Sequence, residues 1–140
     1  MKIVVTGCFD GLHSGHVYFL EQAAKHGQLY VCVGSDATIR ALKGPDHPKF
    51  PEAERLYMVQ ALGAVYSATI ASGSGIMDAE EEIKIIKPDM WIVNEDGDYE
   101  EKRNFCNEHG IIYAVLQRTP ALGLPPRSST ELNYACAFTC

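Results

Sequence analysis

The stretch that decides the fold is residues 2–16, which read KIVVTGCFDGLHSGH. Lys2–Thr6 is a short run rich in β-branched residues that stops at Gly7, and it predicts a buried strand. A glycine-containing loop leads from there into Val17–His26, where apolar residues recur at helical spacing before Gly27. This strand, loop and helix predict the first unit of an α/β protein.

The same alternation of strands and helices continues along the chain. Further strands are predicted at Leu29–Val33, Ser67–Ala71, Met90–Val93 and Ile111–Leu116. Helices are predicted at Asp36–Leu42, Pro51–Ala61, Asp78–Lys87 and Tyr99–Glu108, with a last helix capped by Ser128 or Ser129. The rhythm predicts a Rossmann-like α/β fold, a mainly parallel five-stranded sheet wound on both faces. Without an internal repeat or a linker, we expect one domain over residues 1–140.

The balance of charge disfavours nucleic acid as a partner. The 140 residues contain 12 Lys+Arg and 18 Asp+Glu, for a net charge of -6, whereas proteins held to DNA by its phosphates are basic. The segment 78–108 alone carries 11 acidic and four basic residues. Because the acidity is local, a phosphorylated small ligand bound elsewhere remains compatible with it.

The sequence also predicts the compartment. It contains no apolar run long enough to span a membrane and no secretory signal at its start. Its five cysteines are widely spaced and form no C-x-x-C pair, which favours free thiols. We therefore expect a cytoplasmic protein without a disulfide framework.

The strongest candidate site lies in the loop after the first strand. His13 and His16 are three residues apart, separated by Ser14 and Gly15, where a helix begins. Free N–H groups and the positive dipole end of a helix suit phosphate, and glycine permits close approach of the backbone. Two imidazoles add donors for charge on a transferring phosphoryl group. The loop matches neither G-x-x-x-x-G-K-[ST] nor G-x-G-x-x-G, which disfavours a P-loop kinase and a nicotinamide dehydrogenase.

Gly7–His16 resembles the H-x-G-H signature of the nucleotidylyltransferase superfamily, in the G-x-F-D-x-x-H-x-G-H form typical of its cytidylyltransferase branch. The similarity extends over nearly the whole chain. The enzymes that the chain resembles are glycerol-phosphate and ethanolamine-phosphate cytidylyltransferases and heptose-phosphate adenylyltransferases. The matching segments are Ser35–Ala37, Lys43–Pro45, Glu54–Arg55, Met58–Leu62, Gln117–Thr119 and Arg127–Thr130.

The resemblance implies an enzyme that joins a nucleoside triphosphate to a small phosphomonoester or phosphonate and releases pyrophosphate. It implies catalytic roles for His13, His16 and Lys43, the last also neutralising the acceptor. Asp10 would lie near the acceptor. We also expect an acceptor contact from Asp96, although its loop departs from the family pattern. Mg²⁺ would be held mainly by triphosphate oxygens, so no protein metal site is expected. The implied nucleotide-binding positions are Gly7, Cys8, Phe9, Gly15, Arg55, Asn94, Arg118, Ser128, Ser129 and Thr130.

Several alternatives stay open at this level. We expect CTP as the donor, with ATP and a sugar or cofactor phosphate as the alternative, and a non-catalytic nucleotide-binding module as a second one. A homodimer is possible. Arg55 could instead be a surface ion-pair residue, Lys43 a solvated lysine, and Ser128–Thr130 a simple helix cap. The unusual acidic loop 95–98 could receive hydroxyls or an amine, or be a solvated turn.

Overall fold

Five parallel strands form one sheet in the computed structural model, which describes residues 1–129. The order across the sheet is β3-β2-β1-β4-β5, and every neighbouring pair is parallel. The predicted Rossmann-like α/β fold is confirmed. The strands are β1 Lys2–Gly7, β2 Gln28–Val33, β3 Ser67–Ile70, β4 Met90–Asn94 and β5 Ile112–Leu116.

The helices also lie where the apolar periodicity predicts them, within a few residues at their ends. The first helix, α1, begins at Ser14 and not at Val17, because the His13 side chain caps it by accepting a hydrogen bond from the Gly15 N–H. The predicted last helix falls almost entirely outside the described residues. The helices are α1 Ser14–Ala24, α2 Asp36–Lys43, α3 Glu52–Gln60, α4 Glu80–Ile86 and α5 Glu100–His109, with a 3₁₀ turn at Glu95–Gly97.

Apolar side chains project from both faces of the sheet, as is required of a sheet that helices cover on both sides. On one face, Ile3 and Val5 of β1 pack with Leu20 of α1 and Val59 of α3. On the other face, a second cluster packs against α4 and α5 and contains Val4, Cys32, Trp91, Val93, Ile83 and Phe105. The two clusters hold α1 and α3 on one side of the sheet and α4 and α5 on the other.

The order of the strands predicts where a ligand would bind. From β1 the chain runs through α1 to β2 on one side, whereas β4 pairs with β1 on the other side. Loops that follow β1 and β4 therefore diverge at the carboxyl edge, and such a switch point is where open α/β sheets bind ligands. The histidine loop follows β1 and the acidic loop 95–98 follows β4, so the fold predicts that these two loops are the lips of a ligand crevice. Within residues 1–129 no helix is long and apolar enough to cross a membrane.

We predict that Leu20→Ala lowers the free energy of unfolding by about 3 kcal/mol, because it opens a cavity between α1 and the sheet where Leu20 is fully buried. Urea denaturation measures the change. Glu21→Ala, at the exposed neighbouring position, is the control and should change stability by less than about 0.5 kcal/mol. Equal effects of the two substitutions would contradict the packing described above.

Candidate active site

Two histidines share the turn that starts α1. The Nδ1 of His13 accepts a hydrogen bond from the Gly15 N–H at 3.1 Å, and the Nδ1 of His16 accepts one from the His13 N–H at 3.3 Å. Their rings stack with centroids 3.8 Å apart. Because a backbone nitrogen only donates, each Nδ1 is an acceptor and each neutral ring carries its proton on Nε2. The turn thus presents two N–H donors of defined tautomer.

One of these donors lacks an acceptor. The Nε2 atom of His13 is buried, and it has no hydrogen-bond partner within residues 1–129. A buried polar atom without a partner costs free energy, so such atoms are uncommon in folded proteins. An oxygen atom of a bound ligand would satisfy this one.

Both histidines are held neutral. Burial lowers the pKa of His16 to about 3, and the positive charges of Arg118 and Lys43 act in the same direction, as a proton on His13 would. Burial also lowers the pKa of His13, with Arg118 and Arg127 contributing. The structure therefore gathers three basic side chains from distant parts of the chain around the two rings, and together they make a site for an anion.

Small residues and one strained position shape the loop. A Cβ atom on Gly15 would lie 2.9 Å from Cε1 of His13, so any side chain there would displace the ring. A Cβ atom on Gly7 would lie 2.9 Å from the Phe9 ring, and Phe9 itself has a φ of 51° in the left-handed region. The Phe9 ring packs edge-on against His16 with centroids 5.4 Å apart. In the structure, these expected nucleotide-binding residues set the histidines' geometry.

Arg55 differs from its expected role as a phosphate contact, and also from a surface ion-pair residue. Its side chain is 1% exposed, and its guanidinium donates to Phe50 O at 2.8 Å, Cys8 O at 2.9 Å and Gly34 O at 2.6 Å. It also pairs with the Asp36 carboxylate at 2.9 Å. Because its donors bind groups of the protein itself, Arg55 lies behind the site and holds the loops that form it.

Asp10 has a similar inward role in place of the expected acceptor contact. Its side chain is 4% exposed, and its two carboxylate oxygens accept hydrogen bonds from the backbone N–H groups of Lys49 and Phe50, each at 2.9 Å. Asp10 thereby ties the Pro-rich segment after α2 to the histidine loop. The charge is satisfied by backbone donors, which stabilise a carboxylate well.

Asp96 also has a different partner from the expected acceptor. It forms an ion pair with Arg118 at 2.7 Å, and Glu95 accepts a hydrogen bond from the Arg118 N–H at 2.7 Å. Asn94, expected to contact the nucleotide, caps the 3₁₀ turn by accepting from the Gly97 N–H at 2.9 Å. The acidic loop therefore holds Arg118, whose guanidinium also donates to the Arg127 carbonyl.

The remaining carboxylate of the acidic loop is also bound within the protein. Asp98 pairs with Arg103 at 2.8 Å and accepts a hydrogen bond from the Tyr113 hydroxyl at 3.0 Å. These bonds lower the pKa of Asp98, the hydrogen bond from Arg103 most of all. Loop 95–98 is thus a turn with internal ion pairs, and it is solvated in part, since Glu95 and Asp96 remain exposed. That it receives hydroxyls or an amine of an acceptor stays a prediction.

Two more expected site residues lie at the crevice. The hydroxyl of Ser129 donates to Gly11 O at 2.8 Å, which brings the serine cluster against the histidine loop.

Lys43 ends α2 with an exposed side chain, and its charge lowers the pKa values of both His16 and Cys8. The Cys8 thiol pKa is raised overall, because burial is the larger effect. Ser128 precedes Ser129 and is partly buried, and Thr130 lies outside the described residues.

Sequence reasoning missed two charged residues near Cys8. Asp78 precedes α4, and burial raises its pKa; Lys102 lies in the first turn of α5, where burial lowers its pKa. The sequence does contain a signal for Lys102, because a cation is unfavourable at a helix N-terminus. Lys102 follows Glu100 and Glu101 in the first turn of the helix, where an acidic or a neutral residue is usual.

We predict that His16 makes the fold sensitive to mild acid. Since its pKa falls from 6.5 to about 3 on folding, the unfolded chain binds more protons between these values, and stability is lost as pH falls below 6.5. Between pH 7.5 and 5.5 the wild type should lose about 1 kcal/mol more than His16→Gln, which keeps an acceptor at the third helical position. Urea denaturation at both pH values measures this. His26→Gln is the exposed-histidine control, and it should follow the wild type; the same loss in His16→Gln as in the wild type would disprove the assignment.

Comparisons with known proteins identify the family of this chain. Residues 4–132 match the model of the cytidylyltransferase-like family. The FAD synthase of Methanohalophilus mahii is 41% identical over 102 residues, which are 72% of this chain and 68% of that protein. The bifunctional protein HldE of Nitratiruptor sp. is 43% identical over 103 residues, and these span 72% of this chain but only 21% of that longer protein.

A solved structure shows the same fold. The lipopolysaccharide core biosynthesis protein from Thermoplasma volcanium superposes with a TM-score of 0.70 at 28% identity, over 86% of this chain and 97% of that one. The matched residues of the family model include the histidine loop, the crevice and all five strands except the first two residues of β1. The chain belongs to the cytidylyltransferase-like family.

Proposed function

We propose that this protein is a nucleotidylyltransferase that transfers AMP from ATP to a small phosphomonoester and releases pyrophosphate. The observation that carries the proposal is the pair of neutral histidines at the start of α1, with the Nε2 donor of His13 buried and unpartnered in the described chain. Such donors suit phosphate oxygens, and no covalent nucleophile is required of the protein in this reaction.

The reaction is an in-line displacement at the α-phosphorus. A phosphate oxygen of the acceptor forms the new P–O bond while the bond to the pyrophosphate oxygen breaks. The Nε2–H groups of His13 and His16 donate to phosphate oxygens whose charge grows in the transition state, and the N-terminus of α1 adds its dipole. Because both rings are already neutral, they act as hydrogen-bond donors and hold their protons throughout.

Basic and hydroxyl side chains around the histidines would hold the rest of the triphosphate and the acceptor. Lys43 would neutralise the α-phosphate and the incoming phosphate. Arg118, which Asp96 holds through one nitrogen of its guanidinium, would bind a phosphate group with its remaining N–H donors. Ser128, Ser129 and Thr130 would bind the β- and γ-phosphates, with Ser129 already placed against Gly11. Each of these roles is inferred from the match of that residue to the nucleotidylyltransferase motifs.

Similarity to ATP-dependent relatives favours ATP over the CTP expected from the sequence motifs. FAD consists of AMP joined to flavin mononucleotide, so an FAD synthase carries out adenylyl transfer to a phosphomonoester. The acceptor classes we propose are a flavin or sugar phosphate. Transfer of CMP is the second candidate, favoured by the Arg118-Thr119 and Ser128–Thr130 segments that led to it.

Magnesium is the cofactor we propose, bound mainly by triphosphate oxygens. Within residues 1–129, no group of three His, Cys, Asp or Glu side chains is placed to hold a metal ion. The donor set of the crevice is mainly cationic and hydroxylic, which suits phosphate better than a bare divalent cation. When bound, Mg²⁺ would offset the charge of the leaving pyrophosphate.

We predict that His13→Ala lowers kcat by about 10²- to 10³-fold, because it removes one donor to the developing charge. Pyrophosphate release under saturating ATP, Mg²⁺ and acceptor measures the rate, and a thermal melt verifies that the variant folds. His26→Ala, which removes an exposed histidine beyond the far end of α1, should retain the wild-type rate. Turnover of His13→Ala within about threefold of wild type would refute the proposed mechanism.

We predict that ATP supports at least about tenfold more turnover than CTP at equal concentration, since a site that hydrogen-bonds one base leaves polar groups unpaired with the other. The assay offers each triphosphate with flavin mononucleotide, a sugar 1-phosphate and glycerol phosphate, and follows pyrophosphate. Faster turnover with CTP would establish cytidylyl transfer. Tight binding of Mg²⁺-ATP without turnover of any acceptor would favour the non-catalytic module.

A further inference from the structure

Lys102 occupies a position that is unfavourable for a lysine on two counts. Its side chain is 6% exposed, and removing an ammonium from water is unfavourable unless partners replace the water. It also lies in the first turn of α5, whose N-terminus carries partial positive charge. Specific contacts must offset both effects.

The contacts of Lys102 converge on the acidic loop. Its Nζ donates to Gly97 O at 2.8 Å, and it lies over the rings of Trp91 and Tyr99, 5.5 Å and 5.4 Å from their centroids. Among residues 1–129, no carboxylate lies within 4 Å of Nζ. The carbonyl of Gly97 is therefore its direct polar partner, with Asp78 and Asp98 as more distant counter-charges.

Gly97 is the last residue of the 3₁₀ turn that forms the lip of the crevice beside β1. The N–H of Gly97 is bound by Asn94 at 2.9 Å and its carbonyl by Lys102 at 2.8 Å, so the two peptide groups that flank this residue are both fixed. The same turn carries Asp96, which holds Arg118 at 2.7 Å. Through these bonds Lys102 is connected to the arginine whose charge acts on both histidines.

We propose that Lys102 is a positioning residue for nucleotide binding: its buried ammonium fixes residues 95–97 in the conformation that places Arg118 and the lip of the crevice for the triphosphate. This inference rests on the proposed function. Lys102 touches none of the reacting atoms in this arrangement, so it should affect the affinity for ATP far more than the chemical step.

The test compares Lys102→Met, Lys102→Arg and the control Lys84→Met. Lys84 is an exposed lysine of α4 that pairs with Glu80 and Glu81, so the control removes the same charge from the same acidic segment. The readouts are the Kd of Mg²⁺-ATP by calorimetry, kcat at saturating substrate, hydrogen exchange of the backbone amides of residues 95–98, and the thermal melt. Trp91, the one tryptophan of the chain, reports the local environment of Lys102 by its emission.

For Lys102→Met we expect Kd to rise about tenfold, the loss that removal of a charged hydrogen bond produces, with kcat within about threefold. Exchange of amides 95–98 should accelerate by at least about tenfold. Lys102→Arg, which keeps charge and donors, should restore most of the affinity, and Lys84→Met should behave as the wild type.

Unchanged Kd and unchanged exchange in Lys102→Met would overturn the proposal, as would a loss confined to kcat. If Lys102→Met fails to fold, Lys102→Arg decides: affinity and exchange near those of the wild type support the proposal, and a tenfold loss overturns it. If the wild type binds neither ATP nor CTP, the proposed function fails by itself. The exchange of amides 95–98 then still tests whether Lys102 holds the lip.

Discussion

The buried guanidinium of Arg55 ties together the carboxyl edge of the sheet. It binds the carbonyl after β1 at Cys8, the carbonyl after β2 at Gly34, the first residue of α2 at Asp36 and the carbonyl of Phe50. Removing one partner from such a buried charged network costs about 3–5 kcal/mol, because the groups left behind are unpaired. The loops that follow β1 and β2 are thereby fixed relative to each other before any ligand arrives, and less ordering of the histidine loop remains to be done on binding.

The charged side chains around the crevice are of two kinds: some are buried and bind the backbone, and others are exposed to solvent. Asp10 and Lys102 point inward and fix backbone segments, while Lys43 is exposed and Arg118 half-exposed at the crevice. The two histidines lie between these groups, and they are neutral because burial and the neighbouring cations both disfavour a second proton. A site built in this way offers an anion fixed donors without the desolvation cost of a buried imidazolium.

The differences between the expected and the observed contacts of the site residues have a common physical origin. The pattern identifies Arg55, Asp10 and Asp96 as polar residues of the proposed phosphate site, and in the structure each of them is bonded within the protein. What the pattern does not contain is the direction of each side chain. A buried arginine and a phosphate-binding arginine have the same chemistry, and only the positions of Cys8 O and Gly34 O decide that Arg55 turns toward the protein. Lys102 was overlooked for the same reason, since only the folded structure shows its ammonium turned inward to the carbonyl of Gly97.

The sequence by itself determined the strands, the helices, the parallel α/β architecture and the loop with His13 and His16, because periodicity, glycine positions and helix starts are local properties of the backbone. Only the tertiary structure decided which charged groups face the crevice and which bind other groups inside the protein. Those contacts join residues far apart in the chain, such as Arg55 with Cys8 across 47 positions and Ser129 with Gly11 across 118. Their free energies depend on burial and on distances of 3 Å or less between atoms, which exist only once the sheet has brought the loops together.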